Sequence, residues 1–174
     1  MCNNFELAEE NYQKGMDYLN GTNDTNIDYR KAFEMFKKSA DEGHPEAQFR
    51  LGYMYIYLEP YVLRNYKKAF ELFESSFEKG LLISQFYLAE CYMYGWGTDK
   101  NERRAVELYE KCSEQGIIEA DDRLCEIYRY GIGEVEKDLQ KAYNYNERTR
   151  GYGNFNSEAR HISLINQIQE EDKK

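Results

Sequence analysis

The sequence has few of the residues on which most enzyme active sites depend. It contains only two histidines, His44 and His161, which lie far apart in the chain. No two of its four cysteines have the Cys-x-x-Cys spacing typical of a zinc site. Carboxylates are abundant, but no pair stands out for acid–base catalysis. We therefore expect no catalytic residue, no bound metal and no cofactor.

The sequence also lacks an excess of basic residues, a long apolar run and a signal peptide. Its 32 acidic residues outnumber 23 basic ones, so a nucleic-acid partner is not expected. No apolar stretch approaches the roughly 20 residues needed to span a membrane. The first residues, MCNNFELAEENYQKG, lack the basic and apolar segments of a signal peptide. These absences predict a cytoplasmic protein without membrane insertion.

What the chain does contain is a repeat of 36 or 37 residues. Four segments share an initial Asp or Asn, a central Ala and a final Gly. An initial Asp or Asn can cap a helix N-terminus, and a final Gly can adopt the left-handed conformation that ends a helix. Each segment therefore predicts one helix. The initial residues are Asp28, Asn65, Asn101 and Asp138, the alanines Ala32, Ala69, Ala105 and Ala142, and the glycines Gly43, Gly80, Gly116 and Gly153.

A second apolar pattern follows each glycine and predicts a second helix. A small residue is followed by Leu with another small residue, and then by Tyr, at helical spacing. The Leu and small-residue pairs are Leu51–Gly52, Leu88–Ala89 and Leu124–Cys125. We expect about nine helices in antiparallel pairs. The last helix is expected to present an apolar face made of Phe155, Ala159, Ile162, Ile165 and Ile168.

The unit YGWGTDKNERRAVELYEKCSEQG, with the Leu-Gly-x-x-Tyr pattern before it, closely resembles Sel-1-like repeats, and the resemblance covers about residues 4–170. It implies an all-α fold, an α/α superhelical solenoid of about four helix-pair repeats with terminal capping helices. We divide the chain into an N-terminal half-repeat 1–27, repeats 28–64, 65–100 and 101–137, and a fourth repeat with a capping helix at 138–174. The last unit departs from the pattern, with Asn146 in the position of an aromatic residue.

Two features that resemble functional motifs are better explained by the repeat. Gly95 and Gly97 lie between two predicted helices and recur one repeat later, so they indicate a turn and not a phosphate-binding loop. Cys112 and Cys125 occupy positions that hold small residues in the other repeats, which predicts free thiols. A Cys91–Cys112 disulfide between adjacent helices stays open as the alternative.

The resemblance implies a scaffold that binds proteins or peptides. By analogy with tetratricopeptide arrays, the second helix of each repeat lines a concave groove. An aromatic first half and a charged second half would suit a protein or peptide ligand with apolar or aromatic anchors and a Lys or Arg. The predicted groove residues are Phe49, Tyr53, Tyr57, Phe86, Glu90, Tyr94, Asp122, Glu126, Arg129 and Tyr130.

Several alternatives remain at this stage. The predicted groove residues could instead pack against neighbouring helices. The apolar segment 57–63, which replaces the usual glycine turn, either covers an edge of the array or contacts a partner. For the whole chain, self-assembly through the array ends or this segment is one alternative function, and a hydrolase-type enzyme hidden in the array is another.

Overall fold

In a computed structural model the chain forms an all-α array of antiparallel helices. The structure describes residues 2–22, 24–152, 155–171 and 173, and these ranges contain nine helices joined by short loops. The helices are α1 (Cys2–Asn20), α2 (Tyr29–Asp41), α3 (Pro45–Tyr57), α4 (Tyr66–Glu78), α5 (Ile83–Tyr94), α6 (Glu102–Glu114), α7 (Ile118–Tyr130), α8 (Leu139–Arg150) and α9 (Phe155–Glu171).

The repeated polar and glycine residues define the ends of the helices, as the sequence predicts. Asn65 and Asn101, for example, accept hydrogen bonds from the backbone amides three residues later, at 3.0 and 2.9 Å. Asp28 and Asp138 cap α2 and α8 in the same way. Gly43, Gly80 and Gly116 follow the helices with φ of 88, 95 and 83°. The fourth predicted glycine, Gly153, lies outside the described residues.

The even-numbered helices contribute the most deeply buried row of side chains. Ala32, Ala69, Ala105 and Ala142 have no exposed surface, and neither have Phe36, Phe73, Tyr109 and Asn146. The small residue beside each leucine provides room for this row. A Cβ on Gly52 would lie 2.9 Å from Phe73 Cε1, so only glycine leaves space for that ring. Each helix packs on the one before it and the one after it. The buried apolar residues form two clusters, one around α2 and α3 and one from the end of α3 to α9, and Tyr55 packs against both.

The predicted apolar face of α9 is wrong at two positions, whereas Ile168 packs against the core as predicted. Ala159 and Ile162 are exposed, whereas Leu164 and Ser157 are buried. The side chain of Phe155 lies outside the described residues. The reason is the polar residue in the aromatic position of the last repeat: Asn146 Nδ2 donates a hydrogen bond to the Ser157 carbonyl at 3.0 Å. This bond helps to set the rotation of α9 about its axis, and the rotation turns Ile162 outward.

Candidate interaction face of the odd-numbered helices

The odd-numbered helices lie on one side of the array, where side chains of successive odd helices contact each other. Phe49 on α3 reaches Tyr87 on α5, with ring centroids 5.2 Å apart. From α5, Glu90 pairs with Arg123 on α7 at 2.9 Å. We call this surface the odd-helix face. All ten predicted groove residues belong to the helices that form it, while the concave curvature implied by the resemblance stays a prediction.

Four of the predicted residues join two others in one continuous group of rings. The ring centroids of Tyr53 and Tyr57 are 4.6 Å apart, and Tyr57 meets the edge of Trp96 at 5.9 Å. Tyr94 also stacks on Trp96, with ring centroids 4.9 Å apart. Tyr53, Tyr57 and Tyr94 keep 37, 43 and 50% of their surface exposed. The aromatic cluster, as we call it, consists of Phe49, Tyr53, Tyr57, Tyr87, Tyr94 and Trp96.

Partial burial affects two tyrosines of the aromatic cluster. Burial, assisted by the negative charges of Glu90 and Glu119, raises the pKa of Tyr87 to about 12. Burial also raises the pKa of Tyr57. Both phenols therefore stay neutral at physiological pH, and their ring faces remain available for apolar groups and cations.

Two predicted groove residues are buried, so their predicted exposure is wrong. Phe86 packs against Tyr109, with ring centroids 5.5 Å apart, and Glu90 is 2% exposed. The reason is the hydroxyl of Tyr109, which replaces the phenylalanine of the preceding repeats and needs an acceptor. It donates to Glu90 Oε1, while the Arg123 guanidinium donates to both carboxylate oxygens at 2.9 and 3.3 Å.

The pKa values of both hydrogen-bond donors, Tyr109 and Arg123, are raised in this arrangement. Burial raises the pKa of Tyr109, and the neighbouring Glu90 raises it further. Burial alone would lower the pKa of Arg123, but the charge and hydrogen bonds of Glu90 outweigh it and raise that pKa. The Tyr109 hydroxyl and the Arg123 guanidinium share one buried acceptor, the carboxylate of Glu90.

In the second half of the face, α9 engages two of the predicted residues. Asp122 Oδ1 lies 3.0 Å from Arg160 Nη1. Arg129 donates to Ser163 Oγ at 2.6 Å, and its guanidinium lies above the Tyr130 ring. Glu126 is exposed and Tyr130 keeps 65% of its surface exposed. The second half therefore offers fewer free side chains than the sequence predicts.

Sequence reasoning missed Tyr87, Trp96 and Arg123. Trp96 lies between the turn glycines and stacks on Tyr66, with centroids 5.6 Å apart and planes within 4°. The sequence did offer a signal for Trp96, because it is the only tryptophan of the chain and lies inside a repeated turn. Tyr87 and Arg123 precede Leu88 and Leu124, as Arg50 precedes Leu51, so a column of long side chains was visible in the alignment of repeats.

The apolar 57–63 segment is mainly a packing element. Val62 is buried, and Leu58 packs against the core of α2 and α3. The ring of Tyr61 lies 4.9 Å from that of Tyr29, at the start of α2. Leu63 is the most exposed of its large apolar side chains, with 86% of its surface exposed, and Tyr57 and Tyr61 also face solvent, with 43 and 50% exposed.

The cysteines and histidines serve the fold. Cys91, Cys112 and Cys125 are buried free thiols, so the alternative Cys91–Cys112 disulfide is not formed. Burial raises the pKa of the Cys91 and Cys112 thiols to about 12, which keeps them from acting as thiolate nucleophiles. The Cys2 side chain lies outside the described residues. His44 bonds Glu9 at 2.8 Å and caps α3, while His161 pairs with Glu147 at 2.8 Å. Within the described ranges, no three His, Cys, Asp or Glu side chains converge as metal ligands.

Comparison with known proteins identifies the repeat. The sequence pattern of the Sel1 repeat matches residues 4–44, 45–81, 82–117 and 118–148. The chain belongs to the Sel1 repeat family. These units begin one helix earlier than the repeats counted in the sequence analysis, so that each Sel1 unit pairs an odd-numbered helix with the even-numbered helix that follows it.

Solved structures of Sel1 repeat proteins have the same architecture. A protective antigen of uropathogenic Escherichia coli strains with an SLR fold is 28% identical over 92% of this chain, with a TM-score of 0.79. A Sel1 repeat protein from Oxalobacter formigenes is 25% identical over 87% of the chain, with a TM-score of 0.72. This chain spans 34% of the first protein and 61% of the second. Helicobacter pylori cysteine rich protein B, 22% identical with a TM-score of 0.52, shares the fold over 70% of this chain and 90% of its own length. A comparison with curated proteins gives no match.

Sel1 repeat proteins are generally scaffolds for protein–protein interactions and are generally not enzymes. This family property gives the general class of function but identifies neither the partner nor the surface that binds it. Among the helices of the described residues, none is both long and apolar enough to cross a membrane.

Proposed function

We propose that this Sel1 repeat protein is a non-enzymatic interaction module that binds an extended segment of another protein along the odd-helix face. The aromatic cluster provides the main contact surface, and Glu126 and Tyr130 extend it across α7. The segment carries apolar or aromatic anchors and a Lys or Arg.

The observation that carries this proposal is the partial exposure of the aromatic cluster. Tyrosine and tryptophan offer large contact areas and lose little conformational entropy on binding, which is why they dominate the energy of protein interfaces. Here the rings of Tyr53, Tyr57 and Trp96 support each other through edge-to-face and tilted contacts. The rings are therefore already ordered before a ligand arrives, and binding does not need to order them.

The chemistry of the ligand follows from the surface. The ring faces attract apolar groups and cations alike, and the chain carries a net charge of −9. A basic residue in the ligand therefore meets a favourable field, while an acidic ligand meets repulsion.

A peptide-display selection tests the proposal. The purified chain is used to select random 12-residue peptides (a length of about three helix widths when extended), and the affinities of the selected peptides are measured in solution. We expect enrichment of aromatic or aliphatic anchors together with Lys or Arg. In the Tyr53→Ala/Tyr57→Ala variant, affinity should fall about tenfold or more, as for the loss of an interface hot spot.

Tyr152→Ala is the matched control, because Tyr152 is a highly exposed tyrosine at the end of α8. Both variants are first checked for unchanged helicity by circular dichroism. Selected peptides that bind the double variant as tightly as the unmodified chain would place binding on another surface and contradict the proposal.

A further inference from the structure

A cavity of about 140 Å³ opens on the odd-helix face between α5, α6 and α7. We call it the α5–α7 cavity. Its walls are mainly apolar, and Tyr94, half of whose surface is exposed, connects it to the aromatic cluster through Trp96. The residues that line it are Met93, Tyr94, Lys100, Tyr109, Arg123, Glu126, Ile127 and Ile132.

Two polar groups of the wall, those of Tyr109 and Arg123, already have partners. The Tyr109 hydroxyl and the Arg123 guanidinium both donate to Glu90. An apolar group entering the cavity therefore leaves no buried donor or acceptor unpaired, which is the main energetic penalty when an apolar ligand meets a polar wall.

The volume of the cavity limits what it can hold. Ligand sites for drug-sized molecules occupy roughly 300–1,000 Å³, so this cavity is too small for such a molecule. An apolar cavity of about 150 Å³ accommodates one benzene ring. The α5–α7 cavity thus matches a single phenyl-sized side chain.

Charge at the rim indicates what accompanies that side chain. Two charged residues of the lining have compensating partners: Lys100 lies 2.7 Å from Glu102, and Arg123 is bonded to Glu90. Glu126 is exposed, and among the described residues it has no ion pair. The rim therefore carries one uncompensated negative charge beside an apolar cavity.

We propose that the α5–α7 cavity binds the side chain of a phenylalanine in an extended partner segment, and that a lysine or arginine next to this phenylalanine pairs with Glu126. The proposal rests on the proposed function, since it defines one anchor of the segment that crosses the odd-helix face. It adds a motif to that function, a phenylalanine followed or preceded by a basic residue.

Methyl NMR on the full chain tests the proposal with defined probes. The first probe is N-acetyl-Phe-Lys-amide, and the controls are N-acetyl-Ala-Lys-amide and N-acetyl-Phe-Glu-amide. We expect saturable shifts of the Ile127, Ile132 and Met93 methyl signals with the first probe. The alanine probe should leave these signals unmoved, and the glutamate probe should bind more weakly.

Two variants then test separately how the cavity and the charge of Glu126 contribute to binding. Ile132→Phe places a ring in the wall of the cavity where the probe's phenyl group would bind, and it should weaken the saturable shifts of the Ile127 and Met93 methyl signals. Glu126→Gln should weaken the first probe roughly two- to fivefold, the range for one partly exposed ion pair. It should also remove the preference for Lys over Glu. Glu34→Gln makes the same change at an exposed position of α2, which does not line the cavity, and should have no effect.

Several results would overturn the cavity proposal. These are shifts confined to the rings of the aromatic cluster, the absence of any saturable methyl shift, and equal binding of the Phe and Ala probes. Display-selected peptides that bind through Tyr53 and Tyr57 but leave the Ile127 and Ile132 methyl groups unmoved would remove the cavity proposal alone. A failure to select any peptide would remove both proposals.

Discussion

The two halves of the odd-helix face are held together by different forces. In the first half, between α3 and α5, ring contacts such as that of Phe49 with Tyr87 join neighbouring helices. In the second half, between α5, α7 and α9, the contacts are ion pairs such as Glu90 with Arg123. One buried hydroxyl accounts for much of this difference. Phe73 has no hydroxyl, whereas Tyr109 at the equivalent position has one that needs a hydrogen-bond acceptor. That acceptor is Glu90, whose equivalent one repeat earlier is the exposed Tyr53.

The comparison shows how a repeat protein can change the chemistry of its surface without changing its backbone. In three successive repeats, Tyr53, Glu90 and Glu126 each lie two residues after the leucine of the second helix. Glu90 alone of the three is buried, and it is the one that accepts a hydrogen bond from a buried hydroxyl, that of Tyr109. The exposed chemistry of the face is therefore determined partly by residues that no ligand touches.

Glu90→Ala should have the largest effect on this comparison. It leaves the buried Tyr109 hydroxyl without an acceptor and the Arg123 charge without its partner. Because Arg123 is still partly exposed, we expect a loss of about 3 kcal/mol in the free energy of unfolding, at the lower end of the range for a broken buried pair. Urea unfolding followed by circular dichroism measures it.

Glu126→Ala is the matched control, since it removes an exposed carboxylate from the equivalent position of the next repeat and should change stability by less than about 0.5 kcal/mol. Glu90→Gln keeps an acceptor for Tyr109 and should lie between the two. Equal stabilities of Glu90→Ala and Glu126→Ala would show that the second half does not depend on the buried carboxylate.

Trp96→Ala should weaken the first half by a smaller amount. The indole contacts Tyr57, Tyr66 and Tyr94 and is itself only partly buried. We therefore expect a loss of about 2 kcal/mol, below the 3–5 kcal/mol of a fully buried tryptophan. Because apolar contacts carry no charge to screen, the loss should be the same in low and high sodium chloride. A loss that shrinks as salt is added would mean that charges, and not rings, hold this half together.

The helix array could be predicted from the sequence because its signals are local and repeated. Asn65 and Asn101 mark helix starts, and the glycines mark helix ends, wherever the chain folds in this way. The repeat then confirms each signal several times over. The predicted all-α solenoid is confirmed by the nine helices of the described residues and by the Sel1 repeat match.

The site could be predicted only in part, because helical spacing gives the direction of a side chain and not its depth. Tyr53 and Tyr57 are exposed as predicted, whereas Glu90 is drawn inward by a hydroxyl on another helix. Asp122 and Arg129 contact α9, and the rotation of that helix depends on a tertiary hydrogen bond from Asn146 that no local pattern specifies. Long-range partners of polar groups therefore limit what the sequence reveals.

The smallest predicted change in stability, after those for Glu90→Ala and Trp96→Ala, concerns a second buried carboxylate, Asp121, at the start of α7. Its side chain accepts a hydrogen bond from Ser113 Oγ and lies 3.2 Å from Arg148 Nε. Burial raises the pKa of Asp121 even though Ser113 and Arg148 act in the opposite direction. The folded protein therefore holds the proton of Asp121 more tightly than the unfolded chain, whose aspartate pKa is about 3.9.

The sign of the pH dependence follows from this shift. The contribution of Asp121 to stability is largest below the unfolded pKa and declines as pH rises through the folded pKa, because the unfolded chain gives up the proton first. Asp121→Asn cannot titrate and should lose this component. Its free energy of unfolding relative to the unmodified chain should thus increase from pH 3.5 to neutral pH, by less than about 1 kcal/mol because Arg148 is half exposed. Asp99→Asn makes the same substitution at an exposed position and serves as the control. A flat difference for Asp121→Asn would mean that the Arg148 ion pair fully offsets the burial of the carboxylate.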